Sequence, residues 1–450
     1  MSGLPDLIMK YETPGPRYTS YPTAPHFSPQ ADKALLAARA VESRNPRSLY
    51  IHIPFCRTVC LFCGCSSSVC TRQEKADEYL SLLEAELALW KKAGLERCPL
   101  GQIHFGGGTP NFLSPAQIRR LGAIISGSFD IEKPCEFSVE LDPRTLALDK
   151  VEAFAEIGAN RASIGVQDTN AEVQKAVGRI QPQEANLRAV EWLRSSGISR
   201  INADLMYGLP LQTRDNFQKT LSDALALSPD RIALFNYAHV PWMKSAQRAL
   251  EKYPMASGAE KVGLFTDAMS AFAGAGFEYI GLDHFALPGD ELILARKNGT
   301  LQRNFQGYST RAGLETFAIG LTSISQTRST YRQNLKDYSA YEASVHAGIL
   351  PIERGIELSE EDELRRGVIM DIMCNLRLDF KKYETKLGMP FGEKFAKALA
   401  SLAGMEGDGL VEISGSGLRV TDLGRLFLRN IAMPFDGRLG AEKGKYSKTL

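Results

Sequence analysis

The sequence predicts an α/β protein built mainly from six strand–helix units, followed by a smaller, mostly helical carboxy-terminal region. Three observations carry this. From about residue 48, short apolar runs rich in β-branched and aromatic residues alternate with longer amphipathic helical patterns. That alternation is the signature of a parallel sheet with helices packed outside it. The chain has 450 residues, more than one hydrophobic core usually serves, so a large domain with a smaller companion suits its length. Finally, each expected strand ends in polar or glycine residues, as a βα fold with one site at one end of its sheet requires.

Taken in order, residues 1–47 are rich in Pro, Tyr and Ser, and Pro14-Gly15-Pro16-Arg17-Tyr18-Thr19-Ser20-Tyr21-Pro22 reads as extended and turn-rich. This segment is expected to drape over the domain. Strands are expected at 48–54, 102–106, 136–141, 161–166, 200–207 and 231–237. The helical patterns between and after them fall at 78–93, 115–129, 149–157, 170–177, 182–196 and 214–227. Six such units fit a partial (β/α)6 barrel or an open doubly wound sheet, and spacing alone does not separate the two. Residues 259–350 are less regular, with a helix at 259–274, a strand at 277–281 and a loop at 303–308. Beyond them, 359–377 and 392–402 read as helices. A hairpin at 410–413 and 418–420 turns around Gly415-Ser416-Gly417, and 421–430 is helical again. Helices followed by a two-stranded wing resemble a winged-helix module, but no basic recognition helix is present, so a packing role is expected. The last ten residues, with Lys443, Lys445 and Lys448, are expected to fray. The expected domains are therefore 1–47 (covering segment), 48–280 (sheet), 281–350 (a connecting region flanking the substrate) and 351–450.

Composition narrows the function class. Apolar content of 44% is ordinary for a soluble globular protein, and no apolar run approaches a membrane span. The start, Met-Ser-Gly-Leu-Pro-Asp, lacks the layout of a secretory signal, so a cytoplasmic protein is expected. A net charge of +1 provides no global field for nucleic acid, so no nucleic-acid or membrane partner is expected. An anionic substrate would need local arginines.

The densest chemistry is Cys56-Arg-Thr-Val-Cys60-Leu-Phe-Cys63-Gly-Cys65. Thiolates at this density hold a soft metal centre, either iron–sulfur or zinc. Structural zinc usually takes two separated Cys pairs, and no second Cys-x-x-Cys follows at a suitable distance. An iron–sulfur cluster on three cysteines leaves one iron open to a substrate or cofactor. Cys70, Cys98, Cys135 and Cys374 are expected to be ordinary thiols. At the other strand ends stand Gly106-Gly107-Gly108-Thr109-Pro110, Glu140 and Asp142, Gln167 and Asp168, Asp204, and Asn236-Tyr237-Ala238-His239. The glycine run lacks the Lys-Ser or Lys-Thr of a phosphate loop but lets a ligand approach the backbone closely. Strand alternation sets Glu140 opposite its apolar neighbours Val139 and Leu141, as a pocket carboxylate would be. Gln167, Arg179 and Asp204 also have plain solvent-facing readings, and His239 and His284 read as structural histidines.

Cys-x-x-x-Cys-x-x-Cys with Phe62 before the last cysteine, together with Gly-Gly-Thr-Pro, resembles the radical S-adenosylmethionine (SAM) superfamily. Nearly the whole chain resembles its oxygen-independent coproporphyrinogen III oxidase (dehydrogenase, HemN-type) family. That resemblance rests on the tyrosine-rich amino terminus, Gly64-Cys65, Gly165-Val166-Gln167-Asp168, Asp204-Leu205-Met206-Tyr207-Gly208-Leu209-Pro210, Asp283-His284-Phe285-Ala286, Asn304-Phe305-Gln306-Gly307-Tyr308 and Cys374-Asn375-Leu376-Arg377. Two positions depart from it: Ser66 stands where the family often has Asn, and Leu287 where it often has Arg.

The resemblance implies a partial (β/α)6 barrel of the radical SAM type, a covering segment and a helical carboxy-terminal domain with a winged-helix-like hairpin. It further implies a 4Fe–4S cluster on Cys56, Cys60 and Cys63, with Cys65 outside the ligand set, and two SAM molecules. Tyr50, Gly107, Glu140 and Ile324 would line the first SAM, on the open iron. Phe62, Gly108, Thr109, Gln167, Arg179, Asp204 and Ala238 would line the second. Tyr50, Glu140, Phe305 and Gln306 would be the catalytic set. The implied reaction is oxidative decarboxylation of two propionates of coproporphyrinogen III to the vinyl groups of protoporphyrinogen IX in haem biosynthesis. It starts with a 5′-deoxyadenosyl radical and needs an electron donor and an electron acceptor. The protein would be a monomer. Related functions left open are a haem-binding chaperone and a radical SAM haem methyltransferase or haem-degrading enzyme.

Overall fold

The structure is a computed structural model that describes residues 4–43, 46–441 and 446–449. The chain divides into two compact units. The larger comprises Ser28–Ala275 and Gly313–Glu357, the smaller Met1–Phe27, Gly276–Ala312 and Leu358–Leu450.

In the larger unit the six expected strands are β1 (Arg47–Ile53), β2 (Pro99–Gly107), β3 (Asp130–Leu141), β4 (Arg161–Gln167), β5 (Arg200–Tyr207) and β6 (Arg231–Asn236). They lie side by side in chain order, and every adjacent pair is parallel. A doubly wound sheet reverses its strand order partway, so this unbroken succession selects the partial-barrel alternative.

On β1, Leu49, Ile51 and Ile53 are fully buried, and the period of two turns Tyr50 and His52 to the other face. Helices α1 (Glu74–Lys92) and α2 (Pro115–Ser126) follow β1 and β2. α2 begins with a capping box in which Ser114 and Gln117 satisfy each other's backbone N–H groups, worth about 1 kcal/mol.

The sheet also extends beyond the other edge of β1, which the sequence pattern did not indicate. Strand β7 (Glu315–Ile319) pairs parallel with β1, and β8 (Ile324–Gln326), β9 (Thr330–Asn334) and β10 (Ile352–Glu357) continue antiparallel. All five residues of β9 are buried, four of them polar or charged. A polar run is read as a loop, but here several of its side chains find partners inside. Glu86 of α1 accepts hydrogen bonds from Asn334 Nδ2 (2.7 Å), Gly320 N (2.8 Å) and Tyr341 Oη (2.7 Å). Arg332 lies 4.0 Å over the Trp90 ring.

In the smaller unit, the amino-terminal segment is part of the core. Helix Leu4–Tyr11 precedes it, and Tyr18 and Tyr21 are buried. Tyr18 Oη donates to Asp436 (3.0 Å), and the Gly437 N–H donates to Tyr21 Oη (3.0 Å). The Arg429 guanidinium donates to the carbonyls of Gly15 and Pro16. The expected frayed tail is corrected for its described part. Lys448 forms a β-bridge with Pro14, and Thr449 N–H donates to Thr13 O at 2.8 Å, because the paired backbone groups satisfy one another. Lys443 and Lys445 lie outside the described residues.

The expected loop at 303–308 is instead a tight antiparallel hairpin, Gln302–Asn304 with Gly307–Ser309, with Phe305 and Gln306 at its turn. Gly307 supplies a φ of 117° that other residues rarely adopt. The helix expected over 359–377 ends at Met370, passes through one π-helical turn (Asp371–Asn375) and stops at Leu376, whose φ is 59°. The strand that follows, Arg377–Asp379, makes the expected hairpin a three-stranded sheet with Gly417–Val420 and Val411–Ser414. Among the described residues no helix is long and apolar enough to cross a membrane.

Candidate functional site

The chemistry-bearing residues of the larger unit collect at the carboxyl ends of β1–β6. After β1 the chain enters the cysteine loop, which is closed by short parallel pairing of Phe55 and Cys56 with Ser68 and Val69. It is pinned further by Leu61 N–H to Val177 O (2.9 Å) and by Gln247 Nε2 to Phe62 O (3.0 Å). All eight cysteines are free thiols.

Each of the three candidate ligand sulfurs has a hydrogen-bonding neighbour. The Thr109 hydroxyl lies 3.4 Å from Cys56 Sγ. Arg144 and Arg179 donate to Cys60 Sγ at 3.3 and 3.4 Å, and Cys65 N–H donates to Cys63 Sγ at 3.4 Å. Such donors favour thiolate over thiol and tune a cluster's charge. The Cys65 thiol and backbone bring Cys63 down to about 6, while burial pushes Cys56 up. Among the described residues no three His, Cys, Asp or Glu side chains converge closely enough to hold a single metal ion. Three soft thiols in one short loop, each beside a hydrogen-bonding neighbour, have the donor chemistry that an iron–sulfur cluster takes.

Beside the loop lies a second group on β1, β2 and β3. Tyr50 and His104 are register partners whose rings stack at 5.8 Å, and Tyr50 Oη hydrogen-bonds His52 Nδ1 at 3.1 Å. His104 Nε2 and Gly107 N–H hold the Glu140 carboxylate at 3.0 and 3.2 Å. Burial would push Glu140 up, but His104 and the Gly107 N–H outweigh it and keep the carboxyl below its usual range. The Glu140 side chain nonetheless remains 44% exposed, so its carboxylate is accessible to a ligand.

The glycines make the close approach possible. A Cβ on Gly106 would meet Glu140, one on Gly107 the His52 ring, and one on Gly108 the Phe55 backbone.

A third group spans β3–β5. Arg179 is buried and donates to Asp142 Oδ1 (3.3 Å), Gly165 O (2.6 Å) and Cys60 Sγ. A Cβ on Gly165 would strike both Gln167 Nε2 and Arg179 Nη2, so these two side chains converge there. Gln167 has a φ of 68°, in the left-handed region that residues other than glycine rarely adopt.

Asp204 accepts from Ser163 Oγ (2.8 Å) and Asn202 Nδ2 (2.7 Å), but burial wins and pushes its carboxyl up to about 7, with Glu140 adding to the rise. A carboxyl raised in the folded state keeps a proton that the unfolded chain loses near pH 4, so its contribution to stability falls as pH rises from there towards 7. Asp204→Asn is therefore expected to gain in melting temperature relative to the native chain as pH rises through that window. A difference that stays flat with pH would mean that Asp204 titrates normally.

The structure brings Cys56, Cys60, Cys63, Tyr50, Gly107, Gly108, Thr109, Glu140, Gln167, Arg179 and Asp204 into these three neighbouring groups. Phe62 and Ala238 are linked through Gln247, which donates to both carbonyls. Ile324 opens β8, opposite Gln333. Phe305 and Gln306 belong to the smaller unit, where Phe305 meets Phe27 edge-on at 6.5 Å. His52, His104, Arg144 and Gln247 were missed. For the two histidines the signal was present: His52 shares the face of Tyr50 two residues on, and His104 follows Gln102 by two on β2.

Residues 50–224 match the radical SAM superfamily, and residues 358–427 match the HemN C-terminal domain. The oxygen-independent coproporphyrinogen III oxidase of Helicobacter pylori is 43% identical over 99% of this chain and 99% of its own length. That of Salmonella typhimurium is 43% identical over 96% and 95%. The solved structure of the Escherichia coli coproporphyrinogen III oxidase (HemN), a radical SAM enzyme, matches with a TM-score of 0.90 at 41% identity. It covers 94% of this chain and 97% of that one.

Proposed function

The chain belongs to the oxygen-independent coproporphyrinogen III oxidase family of radical SAM enzymes, and from that premise we propose that it decarboxylates two propionates of coproporphyrinogen III oxidatively and without oxygen. The products are the two vinyl groups of protoporphyrinogen IX. The carrying observation is the meeting, at one end of one sheet, of the three-thiol loop and the cradle formed by Gly107 and Glu140.

When bound, a 4Fe–4S cluster and SAM supply a 5′-deoxyadenosyl radical able to take hydrogen from an unactivated carbon. The remaining work falls to the chain's own residues. Cys56, Cys60 and Cys63 hold the cluster. Tyr50, Gly107, Glu140 and Ile324 line the first SAM, with the Glu140 carboxylate placed to receive a cationic or hydroxyl group. Phe62, Gly108, Thr109, Gln167, Arg179, Asp204 and Ala238 line the second. Phe305 and Gln306, at the hairpin turn, act on the substrate. The enzyme works as a cytoplasmic monomer, with a separate electron donor for the cluster and an acceptor for the substrate's electron.

The test is anaerobic turnover of reconstituted protein with coproporphyrinogen III, SAM and a strong reductant. The expected result is a porphyrinogen lighter by two molecules of carbon dioxide and four hydrogen atoms, together with 5′-deoxyadenosine. Stable haemin binding without turnover, or S-adenosylhomocysteine in place of 5′-deoxyadenosine, would overturn the reading.

A further inference from the structure

In the smaller unit three guanidinium groups lie within electrostatic reach of one phenol. Arg303, Arg296 and Arg17 all act electrostatically on Tyr308, which donates its Oη–H to Met373 O at 3.0 Å and meets the His284 ring edge-on at 5.2 Å. Two of these cations have a carboxylate. Arg17 pairs with Asp283, and Arg296 pairs with Glu278 at 2.9 Å while donating to Tyr279 O at 2.7 Å.

Arg303 is different. It lies directly across the hairpin from Tyr308, with its guanidinium 5.0 Å from that ring's centroid, and is only 7% exposed. Its Nε and Nη1 are enclosed and meet no hydrogen-bond acceptor. A π face attracts a cation but accepts far less than a carboxylate does, and an enclosed, unpaired guanidinium is among the costlier groups a fold can carry. A buried polar group left unsatisfied in this way points to a ligand that completes it. The missing partner has the chemistry of an anion, and the planar guanidinium suits a carboxylate.

We propose that Arg303 is a substrate-binding residue that receives one carboxylate of the tetracarboxylate coproporphyrinogen III. This rests on the function proposed above and extends it to recognition, which the chain's net charge of +1 requires to be local. Arg303 stands two residues before Phe305, so the same hairpin carries both the carboxylate contact and the turn residues assigned to the substrate.

The test compares Arg303→Met and Arg303→Lys with the native protein, all loaded with cluster. Readouts are melting temperature, the shift in melting temperature on adding coproporphyrin III (the stable oxidised tetracarboxylate), and KM and kcat for coproporphyrinogen III. Arg303→Met removes an unpaired buried charge and should melt no lower than the native protein. It should also lose the shift given by coproporphyrin III and raise KM by about tenfold or more, the scale of one lost charge-assisted hydrogen bond. Arg303→Lys should recover part of the affinity. If Arg303→Met kept the native KM and the native coproporphyrin shift while the native enzyme turned over, this inference would fail and the function would stand. If the native enzyme itself did not turn over, the function would fail. A fall in melting temperature and activity together in both variants would make Arg303 structural and likewise overturn the inference.

Discussion

Cys60→Ser is expected to abolish both iron incorporation and SAM cleavage on anaerobic reconstitution, with turnover at least about a thousandfold below the native protein, since without the cluster there is no radical chemistry to retain. Oxygen is a harder donor than sulfur, and a serine hydroxyl stays protonated where a thiol ionises, so serine is a poor substitute on an iron–sulfur site. Cys60 should be especially intolerant, because Arg144 and Arg179 both aim N–H groups at its sulfur. Those guanidiniums are anchored on Asp142, so they would remain in place beside the serine. The control is Cys65→Ser. Cys65 is exposed, and its carbonyl is held by Lys244 Nζ at 2.8 Å, so its backbone position does not depend on its thiol. Iron content near the native value is expected for Cys65→Ser. Native iron content and SAM cleavage in Cys60→Ser would remove it from the ligand set.

The strands that position this site were legible because their two faces differ. Leu49, Ile51 and Ile53 alternate with Tyr50 and His52, and strict alternation reads as a half-buried strand in any context. Where both faces are buried and polar, the signal vanishes. Thr330, Arg332, Gln333 and Asn334 on β9 look like a surface loop until Glu86, more than two hundred residues earlier, is seen to bind Asn334. No local pattern contains that partner. The amino terminus posed the same difficulty: its prolines and tyrosines predict an extended segment correctly in part, but its place in the core depends on Arg429, Asp436 and Gly437. At the site, residues with a motif stand out in the sequence and the groups that contact them do not. Arg144 gave no motif, yet it touches both Asp142 and Cys60. Gln247 is invisible as a lone glutamine, though it fixes the backbone at Phe62 and Ala238. Supporting groups act through tertiary proximity, which strand ends alone do not encode.

Glu140→Ala separates a binding role from a structural one, and the two make opposite predictions about stability. The carboxylate lies against three groups that would not collapse without it. Gly107 N–H belongs to the backbone of β2, His104 is stacked on Tyr50, and Gly106 leaves open the space that a Cβ would fill. With the side chain 44% exposed, water can reach the vacated position and satisfy Gly107 and His104. The stability change is therefore expected to stay within about 1 kcal/mol. SAM affinity and turnover should fall much further, by roughly one to two orders of magnitude for a lost charge-assisted contact to a cationic or hydroxyl group. Tyr50→Phe keeps the ring stack on His104 and loses only the hydrogen bond to His52, so it should show a smaller loss of the same kind. Melting temperature, SAM binding and turnover measured on the same reconstituted preparations decide the matter. A melting temperature that falls in step with turnover in both variants would make Glu140 and Tyr50 supports of the sheet instead of walls of the cofactor site.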